Sequence, residues 1–222
     1  MRAQTMKSLT AQRGFTLTEL LIATSILLAI SMLSYIALST STETSLLADS
    51  RAQLQGELRD VMQLIGAEVR SAYTTRIVDP LNTEIPAGTV AITVSADTHS
   101  VTFQRPQPGN TSAIPVPSTP ITIGLQCEDA GLDAGNAKLD SGEDANADGM
   151  LTRRVNRTQA GVTTALGAAN DICNMTFQLL SSQDAGDANK TTLLVRLVAS
   201  KLVGAKQRLL KVDLESRIHL EN

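Results

Sequence analysis

A long apolar run near the start of the chain limits what this sequence can fold into. Residues 20–42 are 23 positions without a charge, mostly Leu, Ile and Ala. Roughly 20 helical residues cross the apolar core of a bilayer, so the run can span one. Glu19 directly precedes it. A carboxylate in such a segment is costly unless it is paired, and the run contains no partner for it.

The charges around this run indicate export. Of the chain's 19 basic residues, three lie in residues 1–14, which contain none of its 22 acids, so the rest carries a net charge of −6. A basic start before an apolar run is typical of exported proteins, with the basic end in the cytoplasm. No patch of Lys and Arg interleaved with aromatic residues follows, so we predict no direct nucleic-acid contact.

Three interpretations compete for residues 1–38. A cleaved secretory signal would have a shorter apolar stretch, of about 7–15 residues. A plain membrane anchor explains the length but neither Gly14 nor Glu19. The third interpretation explains both, and we favour it. With its basic leader, its Arg-Gly-Phe and a Glu four residues after the Phe, "RGFTLTELLIATSILL" resembles the prepilin-type signal of type IV pilins and type II secretion pseudopilins.

This resemblance implies a processing step and a partner for the carboxylate. A membrane peptidase is expected to cut after Gly14, which makes residues 1–14 a leader, and to methylate the new N-terminal amine on Phe15. Residues 15–38 are then kept as a transmembrane and filament-core helix. The resemblance also implies that Glu19 pairs with the N-terminal amine of a neighbouring subunit, so that its charge is compensated in the filament.

The helical pattern continues beyond the apolar run. It predicts one helix from residue 15 to about 74, gently curved or broken near "STSTETS", with residues 39–75 as its amphipathic half. The stretch "ELRDVMQLIGAEVRSAY" resembles the corresponding part of minor pilins of the PilW/PulJ type. The apolar positions with helical spacing are Leu47, Leu54, Leu58, Val61, Ile65 and Val69.

Residues 76–222 are expected to form a globular, β-rich head. Alternating patterns predict strands in "TVAITVS", "SVTFQR", "ITIGLQ", "DICNMTFQLL", "TTLLVRLVAS" and "KQRLLKVDLESRIHL", the last two forming a hairpin near Gly204. The predicted fold class is therefore α+β, with the amphipathic half of the helix packed on a C-terminal antiparallel sheet.

An acidic insertion, residues 127–154, interrupts the head. Residues 128–148 contain seven acids and one lysine, and Glu-Asp-Ala occurs at 128–130 and again at 143–145. "DANADG" matches the first half of an EF-hand-type calcium loop, but Val155 occupies the twelfth position, where that loop has a Glu. Calcium is the predicted cofactor, and the alternative is a solvated acidic loop without metal. The predicted ligands are Asp144, Asn146, Asp148 and the carbonyl of Met150, with Asp140 and Glu143 completing the shell.

The remaining reactive residues suggest structural roles. Cys127 and Cys173 are expected to form a disulfide if the chain is exported, and to be two buried thiols if it stays in the cytosol. His99 and His219 are far apart and lack the neighbours of a catalytic motif, so we predict that the protein is not an enzyme.

The resemblance implies a minor pilin or pseudopilin that primes or caps a type IV pilus or a type II secretion pseudopilus. It would cross the bacterial inner membrane once, with its head in the periplasm, before entering the filament. Its expected partners are the prepilin peptidase, the major and minor pilins or pseudopilins, and the inner-membrane assembly platform. The alternative is a membrane-anchored, calcium-dependent periplasmic binding protein or adhesin that never enters a filament.

Overall fold

The computed structural model describes residues 15–70, 72, 92–105, 118–180 and 192–220. The chain divides into two compact units, Met1–Ser45 and Leu46–Asn222. The predicted leader lies outside the described residues, as does the part of "TVAITVS" before Ile92. The predicted α+β class is confirmed, because a long N-terminal helix is followed by antiparallel strands.

The helix, α1, runs from Leu17 to Val69 without interruption. The predicted weak point at "STSTETS" is helical throughout, and the helix ends five residues before the predicted position 74. Several Ser and Thr hydroxyls in α1 donate to carbonyl oxygens three or four residues earlier, which satisfies these polar groups within the helix.

Among the described residues, the strands form two antiparallel sheets, in the orders β1-β2-β3-β4-β5 and β6-β7-β8. The predicted hairpin near Gly204 is confirmed, and this glycine has a φ of +76° in the turn. The pair β4 and β5 was not predicted from the sequence. The strands are β1 Thr93–Val94, β2 Ser100–Phe103, β3 Ile121–Cys127, β4 Arg153–Gln159, β5 Val162–Ala165, β6 Ile172–Leu180, β7 Thr192–Val203 and β8 Arg208–His219.

One hydrophobic core joins the second half of α1 to both sheets. The predicted apolar stripe of the helix is buried from Leu54 onward, whereas Leu47 is not part of the core. Neighbouring strands contribute paired residues, such as Phe103 opposite Ile121, because alternate side chains of a strand point to the same face. Burying this stripe is what holds the amphipathic half of α1 to the sheets.

Two ion pairs and one close steric contact position the last part of α1 on the five-stranded sheet. The Glu68 carboxylate accepts from Arg105 Nη1 at 3.2 Å and lies 3.3 Å from Arg157 Nε. Gly167 follows β5 and has a φ of +88°, and a Cβ atom placed there would lie 3.0 Å from Val61 Cγ2. A side chain at this position would force Val61 to shift by a few tenths of an ångström, in addition to the strain of the positive φ.

Candidate functional sites

The first candidate site is the start of α1. Thr16 precedes the helix, and its hydroxyl accepts the N–H of Glu19 at 3.2 Å. The Glu19 carboxylate reaches back, so that its Oε2 accepts the backbone N–H of Thr16 at 3.0 Å and the Thr16 hydroxyl at 2.9 Å. This reciprocal arrangement is a capping box, in which two otherwise unpaired helix donors are satisfied.

The capping role of Glu19 was not anticipated, although Thr-x-x-Glu at the start of an apolar run is its sequence signature. Both side-chain bonds use Oε2, which leaves Oε1 available to a further donor. Phe15, the predicted new N-terminus, comes directly before the cap and is 85% exposed. Gly14 lies outside the described residues, so cleavage and methylation remain predictions.

The apolar part of α1 is exposed along its whole length. Residues 17–42 have no buried side chain, and the exposed ones include Leu20, Ile22, Leu28 and Leu38. Within the described part of the chain, α1 is the one helix long and apolar enough to cross a membrane. An apolar surface of this extent requires a membrane or another protein to cover it.

The second candidate site is the acidic insertion, which connects β3 to β4. The root of the insertion, where the chain leaves the end of β3, is ordered by Asp129, whose carboxylate is fully buried. Asp129 accepts the backbone N–H groups of Gly135 at 2.6 Å and Ala137 at 2.9 Å, and it pairs with Arg153 Nη1 at 3.1 Å. The insertion is therefore held by polar contacts to a buried charge, because it has few apolar residues of its own.

Arg153 connects this root to the three-stranded sheet. Its side chain is 3% exposed, and Nη2 lies 3.1 Å from the carboxylate of Asp171, just before β6. The guanidinium also donates to the Ser200 hydroxyl at 2.8 Å and to the Ser200 carbonyl. A single buried side chain thus joins β4, β7 and the acidic insertion.

The residues predicted to bind calcium separate into two groups. Carboxylate oxygens of Asp144 and Asp148 lie within 4.8 Å of each other and of an oxygen of Glu128, which was not predicted as a ligand. Glu143 instead accepts two backbone N–H groups at 2.9 Å, one of them from Asp140. The Asp140 carboxylate accepts a neighbouring asparagine amide at 2.6 Å. The signal for Glu128 was the repeated Glu-Asp-Ala, which did not by itself identify a ligand.

The turn around Asp144 is organised by backbone N–H groups. Asp144 accepts from Asp148 at 3.0 Å and from Gly149 at 2.9 Å, and Gly149 has a φ of +73°. The Asn146 side-chain oxygen also accepts the Asp148 N–H, at 3.0 Å, and Met150 donates its N–H to Asp148 at 2.8 Å. These bonds hold the oxygen-bearing side chains in one turn, and calcium binding remains a prediction.

The two cysteines are free in the structure, so the predicted disulfide is not formed there and remains a prediction. Burial raises the pKa of the Cys127 thiol to about 11 and the neighbouring Cys173 adds to the rise, while a backbone hydrogen bond from Asp129 opposes it. The Cys173 thiol contacts the Val198 carbonyl at 3.5 Å. The Cys127 thiol contacts the Asp129 carbonyl at 3.6 Å, which places this thiol at the start of the insertion.

Both histidines take part in structural contacts. His99 Nδ1 lies 2.6 Å from the Met175 carbonyl, which links the β1–β2 turn to β6. His219 Nδ1 lies 3.0 Å from the hydroxyl of Thr192, a fully buried residue at the start of β7. These contacts position strands.

Comparison with known proteins identifies the start of the chain. A family model described as the prokaryotic N-terminal methylation motif matches residues 9–35, which include Gly14, Phe15 and Glu19. No curated protein and no solved structure gives a significant match. The motif supports a type IV pilin-like precursor and implies processing by a prepilin peptidase, and the apolar helix behind it fits a membrane anchor.

Proposed function

We propose that this chain is a minor pilin or pseudopilin, a structural subunit that primes or caps a type IV pilus or a type II secretion pseudopilus. The observation that carries the proposal is the methylation motif at residues 9–35, which leads directly into an exposed apolar helix. The helix first anchors the subunit in the inner membrane, with the head in the periplasm, and later packs against other subunits. The head supplies the surface for neighbouring minor pilins.

Processing at Gly14 tests the proposal most directly. The full chain is co-expressed with a prepilin peptidase, extracted from membranes and measured by intact-mass spectrometry. The expected product has lost residues 1–14 and carries one methyl group on the amine of Phe15. Gly14→Val is the matched control, because the added side chain should block cleavage without changing the helix. A wild-type chain that keeps residues 1–14 would refute the proposal and favour the calcium-dependent anchored protein instead.

Glu19 is proposed to have two successive partners. In the single subunit it caps its own helix through Oε2, and in the filament it pairs with the methylated amine of a neighbour. The pairing offsets the cost of holding a carboxylate in an apolar environment and helps to set the register of the helices.

Two substitutions separate these roles of Glu19. Glu19→Gln keeps the capping box, since Gln can replace Glu there, but removes the charge. Thr16→Ala removes the capping hydroxyl and keeps the charge. We expect Glu19→Gln to remain in the membrane and to be lost from sheared filaments, whereas Thr16→Ala still assembles. If Glu19→Gln entered filaments like the wild type, the charge pairing would be wrong and capping would be the function of the side chain.

A further inference from the structure

The acidic insertion contains one carboxylate whose surroundings do not satisfy it. Glu128 follows β3 directly and is 6% exposed. Its Oε2 accepts the backbone N–H of Thr152 at 2.9 Å. Its Oε1 is buried and has no hydrogen-bond partner among the described residues. Buried polar oxygens are almost always paired, so an unpaired one calls for a water or an ion at this position.

The environment of Glu128 indicates that this partner is a cation. Carboxylate oxygens of Glu128, Asp144 and Asp148 lie within 4.8 Å of one another. The nearby buried guanidinium, Arg153, is directed to Asp129 and Asp171. Within the described ranges, none of the three grouped carboxylates is paired with a Lys or Arg. Three negative groups this close repel each other unless a positive charge lies between them.

The backbone holds these carboxylates in place before any ion binds. The N–H groups of Asp148 and Gly149 fix Asp144, and the N–H of Met150 fixes Asp148. Glu128 is fixed by the β3–β4 ladder, because its own N–H donates to the Thr152 carbonyl at 2.9 Å. Each carboxylate oxygen accepts more than one bond, so these contacts leave lone pairs for a metal.

We propose that Glu128, Asp144 and Asp148 bind one calcium ion, with the Asn146 amide oxygen and water completing the shell. All of the donors are oxygens, which favours hard cations such as calcium, magnesium and manganese over zinc or copper. Calcium accepts six to eight oxygens in irregular arrangements, whereas magnesium demands a near-ideal octahedron and keeps most of its water. The site combines a short turn with a carboxylate sixteen residues earlier in the sequence, an irregular set of ligands that suits calcium.

This ligand set differs from the one that the sequence suggests, and the difference makes it testable. Glu128 takes the place of Asp140 and Glu143, whose carboxylates accept hydrogen bonds from within the insertion instead. Binding would tie the turn at Asp144 to the end of β3, next to the buried Asp129 root. An ion that binds the folded state alone raises its stability by mass action.

The test is calorimetric titration of calcium chloride into the full chain, purified in detergent and stripped with chelator. We expect one ion per chain and a higher melting temperature with calcium than with chelator. Loss of an outer-shell partner typically weakens metal binding about 10–100-fold, so Glu128→Gln should weaken it at least about tenfold. Asp148→Asn, at an exposed position, should do the same without risk to the core. Asp140→Asn is the matched control and should bind like the wild type.

Any of the following outcomes overturns the proposal. A wild-type chain that takes up no calcium leaves the insertion as a solvated acidic loop. Unchanged binding by Glu128→Gln and Asp148→Asn places the ion elsewhere. Equal weakening by all three variants, with Asp140→Asn included, indicates diffuse attraction to the acidic segment. The proposal is independent of filament assembly, because titration of the purified chain measures binding whether or not the leader is processed.

Discussion

Replacing Arg153 with methionine should destabilise the head by about 3 kcal/mol. The change removes the buried partner of Asp129 and the donors to Ser200, while the apolar stem of the side chain is kept. Removing one member of a buried ion pair typically costs about 3–5 kcal/mol, because the other charge is left uncompensated. The lower end applies here, since Asp129 still accepts two backbone N–H groups and Asp171 keeps Lys201 at 3.4 Å.

Calorimetric melting of the full chain in detergent measures this effect. For a domain of this size, 1 kcal/mol corresponds to about 2–4 °C, so the melting temperature should fall by about 6–12 °C. Arg196→Met is the matched control, because Arg196 pairs with Asp213 across β7 and β8 on the exposed surface. That variant should have the same melting temperature as the wild type, because exposed ion pairs contribute little to stability.

A double-mutant cycle then isolates the pair from the packing around it. Asp129→Asn removes the charge that Arg153→Met leaves behind, so the two changes together should cost less than the sum of the single changes. Contacting pairs of this kind couple by about 0.5–3 kcal/mol. Strict additivity, or an Arg153→Met variant that melts with the wild type, would mean that the buried pair does not hold the insertion to the sheets.

Three further predictions concern the core and the thiols. Gly167→Ala should destabilise the protein by about 1–2 kcal/mol because of its positive φ, and by about 1 kcal/mol or more in addition because of the close contact with Val61. Gly161→Ala, with a φ of +79° and open space around it, is the control in the same melting assay, and equal losses of stability in the two variants would show that the contact with Val61 has no effect. In the reduced protein at pH 8, Cys127 should react with iodoacetamide about a hundredfold more slowly than a thiol with the ordinary pKa of 9.0, because its pKa of about 11 leaves little thiolate. Peptide mapping over time measures the rate, and a rate equal to that of an ordinary thiol would contradict the prediction. Protein matured in the periplasm should contain a Cys127–Cys173 disulfide, which in the chain-entropy model adds about 4 kcal/mol of stability, and two free thiols in non-reducing mass spectrometry would rule it out.

The sequence was sufficient for the helix and the C-terminal hairpin because both are marked by local patterns. The apolar stripe from Leu54 to Val69 repeats with helical spacing, and Gly204 marks the turn between two alternating strands. Strand β4 was missed because "RRVNRTQ" contains one apolar residue, Val155. Its strand conformation comes from pairing with β3 along seven residues, and a local pattern cannot reveal that partner.

The same limit applies to the sites. The turn residues Asp144 and Asp148 were found because their spacing is regular. Glu128 joins them only because β3 and β4 pair side by side, which places Glu128 opposite Thr152. The bond between Arg153 and Ser200 connects residues 47 positions apart in different sheets. Contacts of this kind depend on tertiary packing and leave no signature in a single sequence.

The hydroxyls of α1 that bond to carbonyls of their own helix bear on the transfer from lipid to filament that the proposed function requires. Thr24, Ser25 and Ser34 donate to carbonyl oxygens of their own helix at 3.0, 2.8 and 2.9 Å. Lipid tails offer no acceptors, so a hydroxyl without such a bond would resist entering the bilayer. Transfer of this helix from lipid into a bundle of similar helices therefore need not exchange hydroxyl hydrogen bonds. The free energy of that transfer is then decided by van der Waals packing between side chains, so the helix can be stable both in lipid and in a bundle of helices.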